Sequence, residues 1–110
     1  MKLWVDDIRP APSDEYIHIY TVEEAIKYIT QFKDEITLIS LDHDAGKFHV
    51  FGGDYIKILI WMEEKQFIDN WDFSHMVFEI HSGNPVGVQN MRRIIEHCGW
   101  TEYEDEYSFF

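Results

Sequence analysis

A chain of 110 residues with 45% hydrophobic and 16% aromatic content is long enough to pack one domain, too short for two, and too apolar to stay disordered. Its formal net charge of −12 excludes general binding to DNA, RNA or an anionic membrane, because phosphate contacts need a basic surface. A single cysteine, Cys98, rules out an internal disulfide or a zinc cluster built from several cysteines, and fits a reducing cytoplasm.

Residues 2–6 read as a buried strand that ends in Asp6 and Asp7. Ile8-Arg9-Pro10-Ala11-Pro12 follows as a turn, kept out of helix by its prolines. No secretory signal pattern precedes the strand, and no apolar run approaches the ~18 residues of a membrane span. A soluble cytoplasmic chain is therefore expected. Tyr16-Ile17-His18-Ile19-Tyr20 alternates as an edge strand, after which Thr21 and Glu24 have capping-box spacing and Val22, Ala25, Ile26, Ile29 and Phe32 form a helical stripe. Residues 36–41 form a third strand, and Ala45–Gly53 is a glycine-bearing loop of the kind that gates sites.

Asp54 to about Gln66 is a helix that is apolar almost all round, which implies deep packing. Residues 75–80 make a fourth strand. Asn84 is an N-cap and Pro85 a first helical residue, with Val88, Met91, Ile95 and Cys98 as a buried stripe and Gly99 as the stop. Residues 100–110 form either a fifth strand or an acidic, aromatic tail. The whole chain, 1–110, is one α/β domain with a mostly parallel sheet of four or five strands. The connection between the first two strands falls short of the roughly dozen residues of a parallel crossover, so the first helix is missing or reduced to a turn.

Three polar clusters end three of these strands: Asp6-Asp7, Asp42-His43-Asp44 and His81-Ser82-Gly83-Asn84-Pro85. In an open parallel sheet, ligands bind outside the carboxyl ends of the strands, so the clusters are expected to meet in one crevice. Carboxylates at Asp6, Asp7, Asp42 and Asp44 are hard oxygen donors for Mg²⁺ or Mn²⁺. His43 and His81, titrating near neutrality, are a candidate base and acid. Arg9 could clamp a phosphate, and Ser82, Asn84 and the helix start after them offer further donors. His18, His49, His75, His97, Arg92 and Arg93 read as surface or edge residues. No Walker loop, dinucleotide fingerprint or His-Glu-x-x-His motif is present.

Leu3-Trp4-Val5-Asp6-Asp7-Ile8-Arg9-Pro10, Leu41-Asp42-His43-Asp44 and His81-Ser82-Gly83-Asn84-Pro85-Val86-Gly87, with Gly53 and Trp61 between them, resemble the cyclic-phosphate-processing receiver-like domain family. The likeness runs from Lys2 to about Ile95, and the His-Ser-x-Asn-Pro element is its most specific part. It implies a three-layer, receiver-like (flavodoxin-like) sheet and a role in processing cyclic phosphates on nucleotides or RNA ends. By resemblance to receivers generally, Asp6 and Asp7 fall where Mg²⁺ is held, Asp42 at the phosphoacceptor and Ser82 at the hydroxyl position. No lysine follows Lys65, so the lysine of signalling receivers is missing. The expected activity is a metal-assisted phosphoesterase, using Asp42, His43 and His81, with a small phosphorylated ligand as partner. The alternative is a receiver-like module that binds a phosphorylated ligand or a protein without turnover.

Overall fold

The computed structural model describes residues 1–46 and 53–103; most of the expected gating loop and the tail beyond Tyr103 lie outside the described residues. Strands β1 (Lys2–Val5), β2 (Tyr16–Ile19), β3 (Leu38–Leu41), β4 (Val77–Ile80) and β5 (Thr101–Glu102) form one sheet in the order β2-β1-β3-β4-β5. Every neighbouring pair is parallel. Helices α1 (Val22–Phe32), α2 (Ile56–Asp69) and α3 (Pro85–Cys98) make the crossovers. This is a receiver-like, flavodoxin-like α/β architecture, with the fifth strand settled as Thr101–Glu102 beside Val77–Phe78.

Local chemistry explains the helix boundaries. Thr21 Oγ1 accepts from the Glu24 amide at 3.0 Å, while Glu24 Oε1 reaches back to the Tyr20 amide at 2.8 Å. Asp54 Oδ1 accepts from the Ala45 amide at 3.2 Å, and the Tyr55 amide donates to the His43 carbonyl at 2.9 Å. Those bonds hold Asp54 and Tyr55 to the preceding loop, so α2 starts at Ile56, two positions later than its pattern suggested. Asn84 caps α3 through Gly87, and Gly99, at φ 74°, ends it in the left-handed region.

The connection from β1 to β2 contains no helix. Asp6 Oδ1 accepts from the amides of Ile8 and Arg9 at 2.8 and 2.9 Å, folding the chain into a turn as soon as β1 ends. Helix α1 packs on α2 and α2 on α3, so all three cover the same sheet face. The second helical layer of a doubly wound sheet is not found among the described residues, because the connection that would supply its first member is this turn. Leu3, Val5, Ile39, Leu41 and Phe78 point into the helix-covered core. Their alternates Trp4, Ser40 and Glu79 point to the other face. Trp4 is only 7% exposed, yet it lies outside the main core, packed instead against Tyr16 and His81.

Candidate functional site

Strand order reverses at β1, which precedes β2 on one side and β3 on the other; the crevice of such a sheet opens at this switch point. The register sets Val5, Leu41 and Ile80 level, so the residues after them are neighbours. The ladder carries on across the ends, from the Asp42 amide to the Val5 carbonyl and from the His81 amide to the Leu41 carbonyl, both at 2.9 Å. The three clusters found in the sequence therefore meet at one edge of the sheet.

Asp6 organises this edge. It is fully buried, with Oδ1 held by two turn amides and Oδ2 2.9 Å from His81 Nε2. Burial pushes its carboxyl upward, but the amides of Arg9 and Ile8 and the His81 ring outweigh it and hold Asp6 below the ordinary carboxylate range. An ionised Asp6 only accepts, so the hydrogen on this contact belongs to His81 Nε2.

His81 is held on every side. Its Nδ1 lies 2.8 Å from Ser40 Oγ, and the same oxygen lies 2.7 Å from Glu79 Oε1, so the single hydroxyl hydrogen serves one of these two acceptors at a time. The ring stacks on Trp4 with centroids 3.8 Å apart and planes 4° from parallel. Burial drives the His81 pKa down, against the opposing pull of Asp6. Both ring nitrogens are thus engaged within the protein.

Oxygen atoms of Asp6, Asp7 and Asp42 all lie within 4.8 Å of one another, a donor set whose chemistry fits Mg²⁺ or Mn²⁺. Gly46, at φ +54°, brings the loop backbone so close to Asp7 that a Cβ there would run into its carboxylate. Tyr55 lies buried nearby and donates its hydroxyl to the Tyr20 carbonyl at 2.7 Å. Burial and the charges of Asp7, Asp6 and Asp42 push this phenol above its ordinary range, so it stays a neutral donor.

Asp44 stands apart from that trio, grouped with His43 and Asp54. Its Oδ1 is 2.7 Å from His43 Nδ1 and accepts from Asn84 Nδ2 at 3.4 Å, and the His43 bond holds its carboxyl low. The His43 ring lies against α3 at Gly87, where any Cβ would collide with it. Asp44 therefore fixes Nδ1 as the protonated nitrogen and leaves Nε2 with a lone pair, an arrangement suited to taking a proton.

Arg9 Nη1 donates to the His81 carbonyl at 2.7 Å, and its Nη2 lies near Gly83, so the guanidinium sits beside the turn before α3. Ser82 Oγ accepts from the Asn84 amide at 3.1 Å and Asn84 Oδ1 from the Gly87 amide at 3.0 Å; both side chains build the turn as well as face it. Arg92 is tied to Glu102 through Nε and Nη2 at 2.7–2.9 Å, a structural pair between α3 and β5.

Sequence reasoning missed Trp4, Ser40 and Glu79, although each sits two residues before a strand-end group and so on the same face. It also set aside His18, whose Nε2 lies 2.7 Å from the Asp6 carbonyl and whose ring stacks on Tyr20.

Among the described residues, no helix is long and apolar enough to cross a membrane. Searches of curated proteins and of solved structures find no match. The family model described as the cyclic-phosphate processing receiver domain matches residues 1–97, which takes in every strand-end group described above. With the matching fold and this coverage, the chain belongs to the cyclic-phosphate processing receiver domain family.

Proposed function

We propose that the domain is a metal-assisted phosphoesterase that opens a cyclic phosphate on a nucleotide or an RNA end. The observation that carries this reading is the juxtaposition, across adjacent strand ends, of a carboxylate trio and an oriented histidine–aspartate pair. Asp6, Asp7 and Asp42 would hold Mg²⁺ or Mn²⁺, which supplies charge neutralisation for the phosphate and its leaving oxygen. Arg9 and the donors of the Ser82–Asn84 turn would grip the phosphate at the start of α3.

His43 is the better placed proton-transfer group, since Asp44 holds its Nδ1 and leaves Nε2 to accept a proton from water. The water oxygen bonds to phosphorus, one ribose oxygen–phosphorus bond breaks, and a proton returns to that oxygen. His81 is the second candidate for this exchange and would give up a contact to Asp6 or Ser40 to serve. The acidic surface favours a small nucleotide or a short end over a long RNA strand.

A non-catalytic module that binds a phosphorylated ligand is the second reading. It is favoured by the engagement of both His81 nitrogens, which leaves His43 as the one histidine set up for proton transfer among the described residues. Incubation with 2′,3′- and 3′,5′-cyclic nucleotides, with Mg²⁺, with Mn²⁺ and metal-free, separates the two. Metal-dependent product formation supports the phosphoesterase; binding with no turnover under any condition supports the module.

A further inference from the structure

On the helix layer, Glu63 of α2 meets His97 and Cys98 in the last turn of α3. A single oxygen, Glu63 Oε2, lies 3.1 Å from His97 Nδ1 and 3.8 Å from Cys98 Sγ, and the three ligand atoms all fall within 4.8 Å of one another. Zn²⁺ bonds of roughly 2.0–2.3 Å set tetrahedral ligand atoms about 3.3–3.6 Å apart, a spacing that the two contacts bracket. We infer that Glu63, His97 and Cys98 form a second cation site, for Zn²⁺ or a similar transition metal, that clamps α2 to α3 and leaves a fourth position for water.

Several features point to a cation here rather than to an ordinary surface ion pair. Glu63 Oε2 and the half-buried Cys98 Sγ lie 3.8 Å apart, close enough for one cation to take both as ligands. The end of α3 adds the partial negative charge of its last carbonyls. The main chain that carries Cys98 is also held in place, and the His97 ring has an aromatic neighbour. Gln66 donates to the Cys98 carbonyl at 3.0 Å and accepts from Trp100 Nε1 at 2.6 Å, while the His97 ring packs 5.5 Å from that of Phe67.

Nitrogen and sulfur ligands select a borderline or soft ion, unlike the all-oxygen trio at the strand ends. The two sites are also separate in space, since α3 begins beside the strand ends and its 14 residues carry Cys98 roughly 20 Å away. On binding, the metal–sulfur bond replaces the S–H bond and the proton leaves to solvent; nothing is oxidised or reduced.

The test is titration of the metal-free chain with Co²⁺ and then Zn²⁺. Cys98 is the only cysteine, so a thiolate-to-Co²⁺ charge-transfer band in the near ultraviolet reports this site alone. The expected result is a band saturating at one equivalent, quenched by Zn²⁺, lost in Cys98→Ser, weakened in Glu63→Gln and His97→Ala, and unchanged in Asp42→Asn. Absence of the band overturns the proposal. So does a band that survives both Glu63→Gln and His97→Ala, which marks a lone thiol adduct; these two variants change partly exposed side chains and do not depend on Cys98→Ser folding.

Discussion

The imidazole of His81 lies flat on the indole of Trp4, with ring planes 4° apart, and the same indole donates its N–H to the Arg9 carbonyl at 2.9 Å. One residue inside β1 thus fixes both the histidine at the end of β4 and the turn that carries Arg9. Stacking sets the plane of the imidazole, and the bonds to Asp6 and Ser40 set its rotation within that plane.

Ser40 is the weakest-looking member of this arrangement and one of its most consequential. It is fully buried, and its one hydroxyl lies between Glu79 and His81, within hydrogen-bond reach of each. Ser40→Ala strips both of a partner and is expected to cost about 1–3 kcal/mol, the usual penalty for orphaned buried polar groups. Urea unfolding checks this, and a change within a few tenths of a kcal/mol would show that water takes the place of the hydroxyl.

Gly87→Ala inverts an ordinary rule. Alanine in a helix normally gains roughly 0.5–1 kcal/mol over glycine, but here the new Cβ would lie 2.6 Å from His43 Cδ2 and 2.8 Å from Nδ1. The variant is expected to lose stability and to displace the His43 ring. Denaturation together with the His43 ring resonances in NMR measures both; a stabilised variant with unmoved resonances would refute the close packing.

The two histidines should separate kinetically. If His43 moves the proton, His43→Ala lowers turnover by roughly 10²- to 10⁴-fold while substrate binding changes little. His81→Ala should lower turnover and also stability, since it leaves buried Asp6 without its side-chain partner. Paired kcat and unfolding measurements distinguish these patterns, and wild-type turnover in His43→Ala would remove its assignment.

Mg²⁺ or Mn²⁺ should raise the melting temperature by relieving repulsion among Asp6, Asp7 and Asp42. At a hundredfold excess over Kd the gain is about 2.7 kcal/mol. Asp42→Asn should diminish it. A melting curve that ignores millimolar metal would leave a direct histidine mechanism.

Acidification should weaken the fold in two stages. The folded-state pKa of His81 lies below its ordinary 6.5, mainly through burial, so its contribution is whole above that pH and fades as pH falls through the lowered value. Asp6, also depressed below its ordinary 3.8, gives a contribution present above that pH and lost beneath it. Urea midpoints across pH test the order, and His81→Phe should flatten the first stage. A midpoint that rises from neutral toward mild acid would contradict the burial of a neutral imidazole.

Much of this was legible in the chain. Thr21-x-x-Glu24, Asn84-Pro85 and Gly99 announce their caps because capping chemistry is local. The meeting of Asp6, Asp42 and His81 followed from parallel topology, in which strand ends line up on one side. Ser40 and Glu79 stayed hidden because their partners lie on other strands, and only the register reveals that they stand level. The separation of Asp44 from the carboxylate trio was equally unreadable, since it depends on where Asn84 and His43 come to rest.

Placing the three described helices on one side gives neighbouring residues within a strand unrelated duties. Along β1 and β3 the odd positions Leu3, Val5, Ile39 and Leu41 hold the domain together, while Trp4 and Ser40, with Asp6 and Asp42 just past the strand ends, face the candidate site; along β4 the parity reverses, with Phe78 inward and Glu79 and the following His81 outward. Substitutions of one parity should register chiefly as lost stability and those of the other chiefly as altered reactivity. A scan along any of these strands would then alternate between two kinds of defect, and selection could retune the reactive face without rebuilding the interior beneath it.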